Sequence, residues 1–283
     1  MNNDMLDKIS LRKPEGRILF FLLGMFFCIM LLQALPVAAE EENLPDRFML
    51  RMGGYNVRNA NTIVRLDANN LPAGAYIDFH QTLGGDTTAT VGRMDALYRF
   101  NEKHGAGLSW YALRFKGSRV LSKDVTWGDQ TFSANTQVDS EIRFDVYKLN
   151  YQYSLFHNEK AELGALFGFH VMRTFASING TSQSQSQAIT APLPVFGLFA
   201  DYNFTPRLSA YYNFQLFSIN YQDTVRGGMQ DFLFGLEYRL FRHVALGAAY
   251  NRFSLTMDAK GDAATIHLDS SWNGTMAYAA VYF

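Results

Sequence analysis

His267, Asp269, Ser270 and Ser271 bring a potential base, an acid and two hydroxyls close together near the end of the chain. These are the residue types of a serine hydrolase, in which a carboxylate orients a histidine that takes the proton of a seryl oxygen. On an extended strand His267, Asp269 and Ser271 share a face. His267 and Ser271 then stand roughly 13 Å apart at the usual rise, beyond a direct hydrogen bond. His267, Asp269 and Ser271 are the candidate catalytic residues of an enzyme reading, set against a plainer one of polar residues near a strand end. Met49, Met52, Met94, Met172, Met229 and Met276 invite a soft-metal reading, since thioethers favour copper(I). They are spread over several segments without ligand spacing, and packing accounts for them. Asp124, Asp129 and Asp139 lack the alternation of a calcium loop. No Gly-x-Ser-x-Gly, His-Glu-x-x-His or phosphate-loop motif occurs. The expectation is no metal and no cofactor.

A larger set of ionisable residues is ordered by period two. Asp231, Leu233, Gly235, Glu237 and Arg239 alternate with Phe232, Phe234, Leu236, Tyr238 and Leu240. Lys148 and Asn150 alternate with Tyr147, Leu149 and Tyr151, and Arg93, Asp95 and Arg99 alternate with Met94, Ala96, Tyr98 and Phe100. Alternation of this kind makes strands with one apolar and one polar face, and helical spacing is nowhere sustained. A soluble sandwich turns the polar faces to water, whereas a membrane barrel turns them inward. In a barrel the inward set is Arg51, Arg93, Asp95, Arg99, Lys148, Glu162, His170, Asp201, Asp231, Glu237 and Arg239. Charges enclosed there must pair, because an unpaired buried charge is costly. The alternative is a narrow conduit for solutes. His170 reads as a lone packed histidine.

The strand ends favour the barrel. Tyr98 and Phe100, Tyr153 and Phe156, Tyr202 and Phe204, and Tyr238 and Phe241 each precede a short polar turn, and Phe283 ends the chain. Amphipathic rings prefer headgroup depth, so repeated aromatics at one end of every second strand describe an interfacial girdle. The opposite connections, about 57–90, 117–140, 177–190, 220–229 and 258–267, read as long polar loops, as expected for the extracellular side. Counting up and down gives ten strands, approximately 46–57, 90–100, 105–117, 141–156, 160–176, 192–204, 206–219, 228–241, 243–257 and 269–283. Twelve is the second count and eight the third, since Thr62–Leu66 and Ala75–Phe79 could form an extra hairpin or an extension above the membrane.

The first 39 residues have their own logic. Lys8, Arg12, Lys13 and Arg17 precede the apolar run 18–32, and Val37-Ala38-Ala39 offers a small-residue exit. That order is a secretory signal peptide, too short for a comfortable transmembrane helix. The domain expectation is a cleavable leader at 1–39, a short periplasmic segment at 40–45 and a barrel over 46–283. The lone Cys28 lies in the leader, so the mature chain has no disulfide. No basic run points to nucleic acid. Aromatic residues make up 15% of the chain, which a girdled barrel explains better than a soluble domain.

With those features the sequence resembles the bacterial outer-membrane β-barrels of the small OmpA/OmpW type. The resemblance covers the chain from about residue 46. It implies an all-β, transmembrane, antiparallel up-and-down β-barrel in the outer membrane with both termini periplasmic. It implies outer-membrane lipid and lipopolysaccharide as surroundings, and recognition of the last strand by the barrel assembly machinery through Phe283. It does not select an activity. Three readings remain open: a structural or surface protein with narrow permeation, an enzyme that modifies lipid A or phospholipid, and a surface protein that binds ligands through its loops.

Overall fold

The computed structural model describes residues 46–68, 76–127, 130–221, 225–260 and 264–283. The expected leader and the segment 40–45 lie outside the described residues. Ten long strands run antiparallel: β1 Phe48–Ala68, β2 Ala89–Arg99, β3 His104–Val120, β4 Gln137–His157, β5 Ala161–Gly180, β6 Ser184–Asn203, β7 Leu208–Tyr221, β8 Val225–Phe241, β9 Val244–Lys260 and β10 Ala264–Tyr282. Each pairs with its sequence neighbour, and β10 pairs with β1 from Met49–Tyr282 upward, so the sheet closes on itself. Where the ladders are complete, closure leaves no sheet edge and every backbone group finds its partner within the wall; β6 meets β7 only from Phe196 to Asn203. Phe48 and Phe283 exchange backbone hydrogen bonds of 2.7 and 2.9 Å at the seam.

The alternation of the sequence becomes two faces of that wall. On β4 the even positions from Val138 to Asn150 are buried inside, whereas Tyr147, Leu149 and Tyr151 are exposed outside. The expected girdle residues Tyr98, Phe100, Tyr153, Phe156, Tyr202, Phe204, Tyr238, Phe241 and Phe283 are all exposed, at the barrel end where the termini meet. Short turns at 100–103, 158–160, 204–207 and 242–243 join the strands there. An outward charge such as Arg114 or Arg143 appears only further along the strands, toward the other end.

Most strands are longer than the alternation suggested. Crossing a bilayer takes ~9–11 residues of a tilted strand, while β1, β4, β5 and β6 have 20 or 21. The surplus projects beyond the apolar band at the end away from the termini. Three expected loops are accordingly corrected. The stretch 177–190 is mostly ladder, with Ser177 opposite Ser186 and Asn179 opposite Ser184. Likewise β7 and β8 pair as far as Tyr221–Val225, and β9 and β10 as far as Lys260–Thr265. Above the lipid a strand meets water outside, so serine and glutamine suit its outer face and the apolar signal fades. Hydrogen exchange on the refolded barrel checks this: those amides of 186–190 that bond to β5 should exchange slowly, like the membrane strands, and not at loop rates.

The twelve-strand alternative is also corrected. Thr62–Leu66 belongs to β1, bent at a bulge near Asn59, whose φ is +52°. The segment around Ala75–Phe79 supplies only a two-residue strand, Ile77–Asp78, paired with Ile63 and Val64. It then turns into a short helix, α1 Phe79–Leu83, capped by the Asp78 carboxylate through the amides of His80 and Gln81 at 2.9 and 2.8 Å. Gly84 ends the helix in the left-handed region at φ 69°. A second insertion, between β3 and β4, forms a small hairpin of Val125–Trp127 with Gln130–Phe132.

Candidate functional site: the divided lumen

The lumen has two unlike halves. At the end opposite the termini it is a hydrophobic core. Leu113, Phe115, Ile142, Phe144, Val146, Phe253, Leu255 and Trp272 point in from the wall and are almost fully buried. Trp272 stacks on Phe253 with 4.2 Å between ring centroids and meets Phe144 at 5.4 Å. Phe79 and Leu83 of α1, with Leu121, Val125, Trp127 and Phe132 of the second insertion, join the same cluster. The two longest connections are therefore turned into the barrel as a cap. Their apolar residues lie too far apart in sequence to show a period, so the sequence reading treated them as loop.

At the end with the termini the lumen is polar and holds a cavity of about 380 Å³. All eleven residues assigned to the lumen from sequence face inward here, from six different strands. Arg51 donates to Glu237 at 2.9 Å, and Arg239 to Asp46 at 2.9 Å. Arg93 grips Asp95 through Nε and Nη2, each at 3.0 Å. Arg99 makes a two-pronged contact with Glu162 at 2.8 and 2.6 Å, and Ser154 donates to the same carboxylate. Lys148 donates to Asp231, both side chains being almost completely buried. His170 Nε2 meets Gln215 Oε1 at 2.7 Å, and its Nδ1 lies 4.0 Å from Asp231. Asp201 lines the cavity and takes no part in these pairs.

Sequence reasoning missed the groups that complete this network. Asp46 lies just before β1. Asn251 donates to Asp231 at 2.7 Å and accepts from Tyr55 at 2.6 Å, so Asp231 receives two donors. Tyr278 and Tyr282 both donate to Glu237, and the Arg51 guanidinium lies 3.9 Å over the Tyr211 ring. Buried charge is tolerable when it is paired and hydrogen-bonded, and these donors serve the carboxylates, while Arg93 Nη1, Asn150 Oδ1 and His170 Nδ1 are buried without a bonded partner among the described residues. The inward alternate positions of each strand were the available signal, since tyrosines on a polar face are donors as well as bulk. Where the two halves meet, Tyr55, Tyr111, Arg93 and Lys148 pack together, with Arg93 and Lys148 5.3 and 5.4 Å from the Tyr111 ring.

The candidate catalytic residues lie elsewhere. His267, Asp269 and Ser271 sit on the outward face of β10, because Leu268, Ser270 and Trp272 are the inward positions. His267 Nδ1 meets Asp258 at 2.6 Å, and its Nε2 faces Asp67 at 3.4 Å. Both ring nitrogens are thus turned to carboxylates on the neighbouring strands and neither to Ser271. Asp269 lies opposite Thr256 and Ile63, and Ser271 opposite Ser254 and Asn61. The arrangement is a charge cluster beside the Tyr76 ring, 6.1 Å from the imidazole, and not a nucleophile with its base.

No protein-family model and no curated protein matches the sequence. Solved structures do resemble it. The outer membrane protease OmpT from Escherichia coli superposes with a TM-score of 0.54 at 9% identity, covering 86% of this chain and 99% of that one. The attachment invasion locus protein Ail of Yersinia pestis gives 0.33 at 13% identity over 84% of this chain and 99% of its own. The translocator domain of the autotransporter NalP from Neisseria meningitidis gives 0.39 at 9% over 95% and 98%. At 9% identity the likeness to OmpT carries over only the architecture, which agrees with the closed ring of ten strands. The chain has the fold of an outer-membrane antiparallel up-and-down β-barrel.

Proposed function

We propose that the protein is a closed, non-conducting barrel of the bacterial outer membrane, acting through its surfaces rather than its lumen. The observation that carries this reading is the filled interior. An apolar core capped by α1 and the small hairpin occupies one half, and five ion pairs crowd the other. Beyond the polar cavity Tyr55, Tyr111 and Trp272 are fully buried, and apolar side chains fill the lumen behind them. The outward apolar band and the girdle support the location. The leader-like start of the chain and the short turns support a periplasmic end for the termini. In that setting Phe283, held at the seam, is the residue offered to the assembly machinery.

A planar-bilayer recording tests the reading. The purified barrel should insert without discrete conductance steps, and regular single-channel steps would overturn it. The lipid-modifying enzyme gains no support from the His267 cluster, since its imidazole is committed to two carboxylates.

A further inference from the structure

Four adjacent strands, β9, β10, β1 and β2, carry an ordered ladder of residues on the outside of the wall. Arg58 on β1, Asn273 on β10 and Arg252 on β9 are cross-strand partners in one row. Asn56, Thr275 and Tyr250 form the next row toward the termini, joined by Thr90 of β2. Below them come Gly54, Ala277, Ala248 and Gly92, and then Met52, Ala279, Leu246 and Met94. Alternation places all four rows on the outward face, and successive rows lie about 7 Å apart.

Each row has a distinct chemistry. Arg58 and Arg252 are exposed, and among the described residues neither has a carboxylate within ion-pair distance. The arginines Arg114 and Arg143 on β3 and β4 differ, since both lean on Glu141 at 3.5 and 3.0 Å. Two strand spacings separate Arg58 from Arg252, roughly 10 Å between backbones, which two long side chains close readily around one anion. The second row is held in place by its own bonds. Arg58 donates to Asn56 at 3.0 Å, Asn56 to Thr90 at 2.7 Å, and Tyr250 to Asn273 at 3.0 Å. The third row is bare: an added side chain at Gly54 or Gly92 would meet nothing within 4 Å. It forms a shallow trough at the top of the apolar band, flanked by the exposed Tyr250 ring.

We propose that this face of β9, β10 and β1 is a binding site for a phosphorylated glycolipid of the outer leaflet. Arg58 and Arg252 hold its phosphate, the Asn–Thr–Tyr row meets its sugar and amide groups, and an acyl chain lies in the Gly54–Ala277–Ala248 trough. The order cation, hydrogen-bonding group, bare surface, apolar surface follows the order of parts in such a lipid. A sugar with amide-linked chains brings donors that the hydroxyls of Thr275, Tyr250 and Thr90 accept, whereas the ester groups of a glycerophospholipid only accept. The assignment rests on the orientation proposed above, in which this end of the barrel faces outward.

Native mass spectrometry of the intact barrel released from non-ionic detergent tests it, with three probes: bisphosphorylated lipid A, the same lipid without phosphates, and phosphatidylglycerol. Bisphosphorylated lipid A should be retained at least tenfold more than either of the others. The double variant Arg58→Gln/Arg252→Gln should lose that preference, and Gly54→Leu/Ala277→Leu should weaken binding while the barrel stays heat-modifiable on a gel. Arg114→Gln/Arg143→Gln should bind as the parent does. Equal retention of phosphatidylglycerol, equal binding by the Arg58/Arg252 variant, or a lipid-free dimer that Gly54→Leu/Ala277→Leu dissociates would each overturn the proposal. Orientation is read separately, by labelling a Ser182→Cys variant from outside intact cells. Conductance in the bilayer would remove the closed-barrel reading and leave this site untouched.

Discussion

Replacing Lys148 by alanine is expected to destabilise the folded barrel by about 3–5 kcal/mol, the usual cost of stranding one partner of a buried ion pair. The Asp231 carboxylate would keep Asn251 but lose its bonded cation, deep in a wall with lipid outside and side chains inside. The urea midpoint of the refolded protein in a fixed detergent measures the loss. A paired replacement, Lys148→Met with Asp231→Leu, removes both charges and should recover most of it, because the desolvation penalty goes with them. If Lys148→Ala alone left the midpoint unchanged, the two groups would not be paired as described. Equal losses for the single and paired variants would mean that packing, and not charge, dominates at this point.

The second large effect is expected at Trp272. Its indole fills the centre of the apolar half, stacked on Phe253 and against Phe144. Truncation to alanine removes buried ring surface and leaves a cavity that a closed ten-stranded wall cannot collapse around. The loss should be about 3–5 kcal/mol, typical of Phe or Trp to Ala in a packed core. Loss of the midpoint by less than ~1 kcal/mol would show that the apolar half is loosely packed. Truncating Phe144, Phe253 and Trp272 together should go further and convert the silent barrel into one that conducts. That result would locate the barrier to passage in the aromatic core.

Both expectations concern places where distant strands meet. Lys148 and Asp231 are 83 residues apart, and Arg51 and Glu237 are 186 apart. Alternation told which side of its strand each residue occupies. It did not tell which residue stands across the lumen, because that depends on the closure of the ring and the stagger of its strands. The same limit explains the catalytic candidates. Their shared face on β10 was readable, but only the neighbouring strands show that Asp258 and Asp67 occupy the imidazole. The outer ladder of Arg58, Asn273 and Arg252 was equally hidden, since its members come from three strands and align only through their register.

The sequence by itself determined the strand-rich architecture, ten as the leading strand count, the facing of the strands with clear alternation and the aromatic end where β1 begins and β10 finishes. These follow from local properties: a period of two, short polar turns, and the preference of Tyr and Phe for an interface. Tertiary structure alone decided how far the strands run past the lipid, since a polar strand in water looks like a loop when read one residue at a time. It also decided that the interior divides into a charged half and an apolar half. Phe79, Leu83, Leu121 and Phe132 turn inward from connections that carry no period of their own, and burying apolar surface over the open mouth of the barrel is the physical reason they do so.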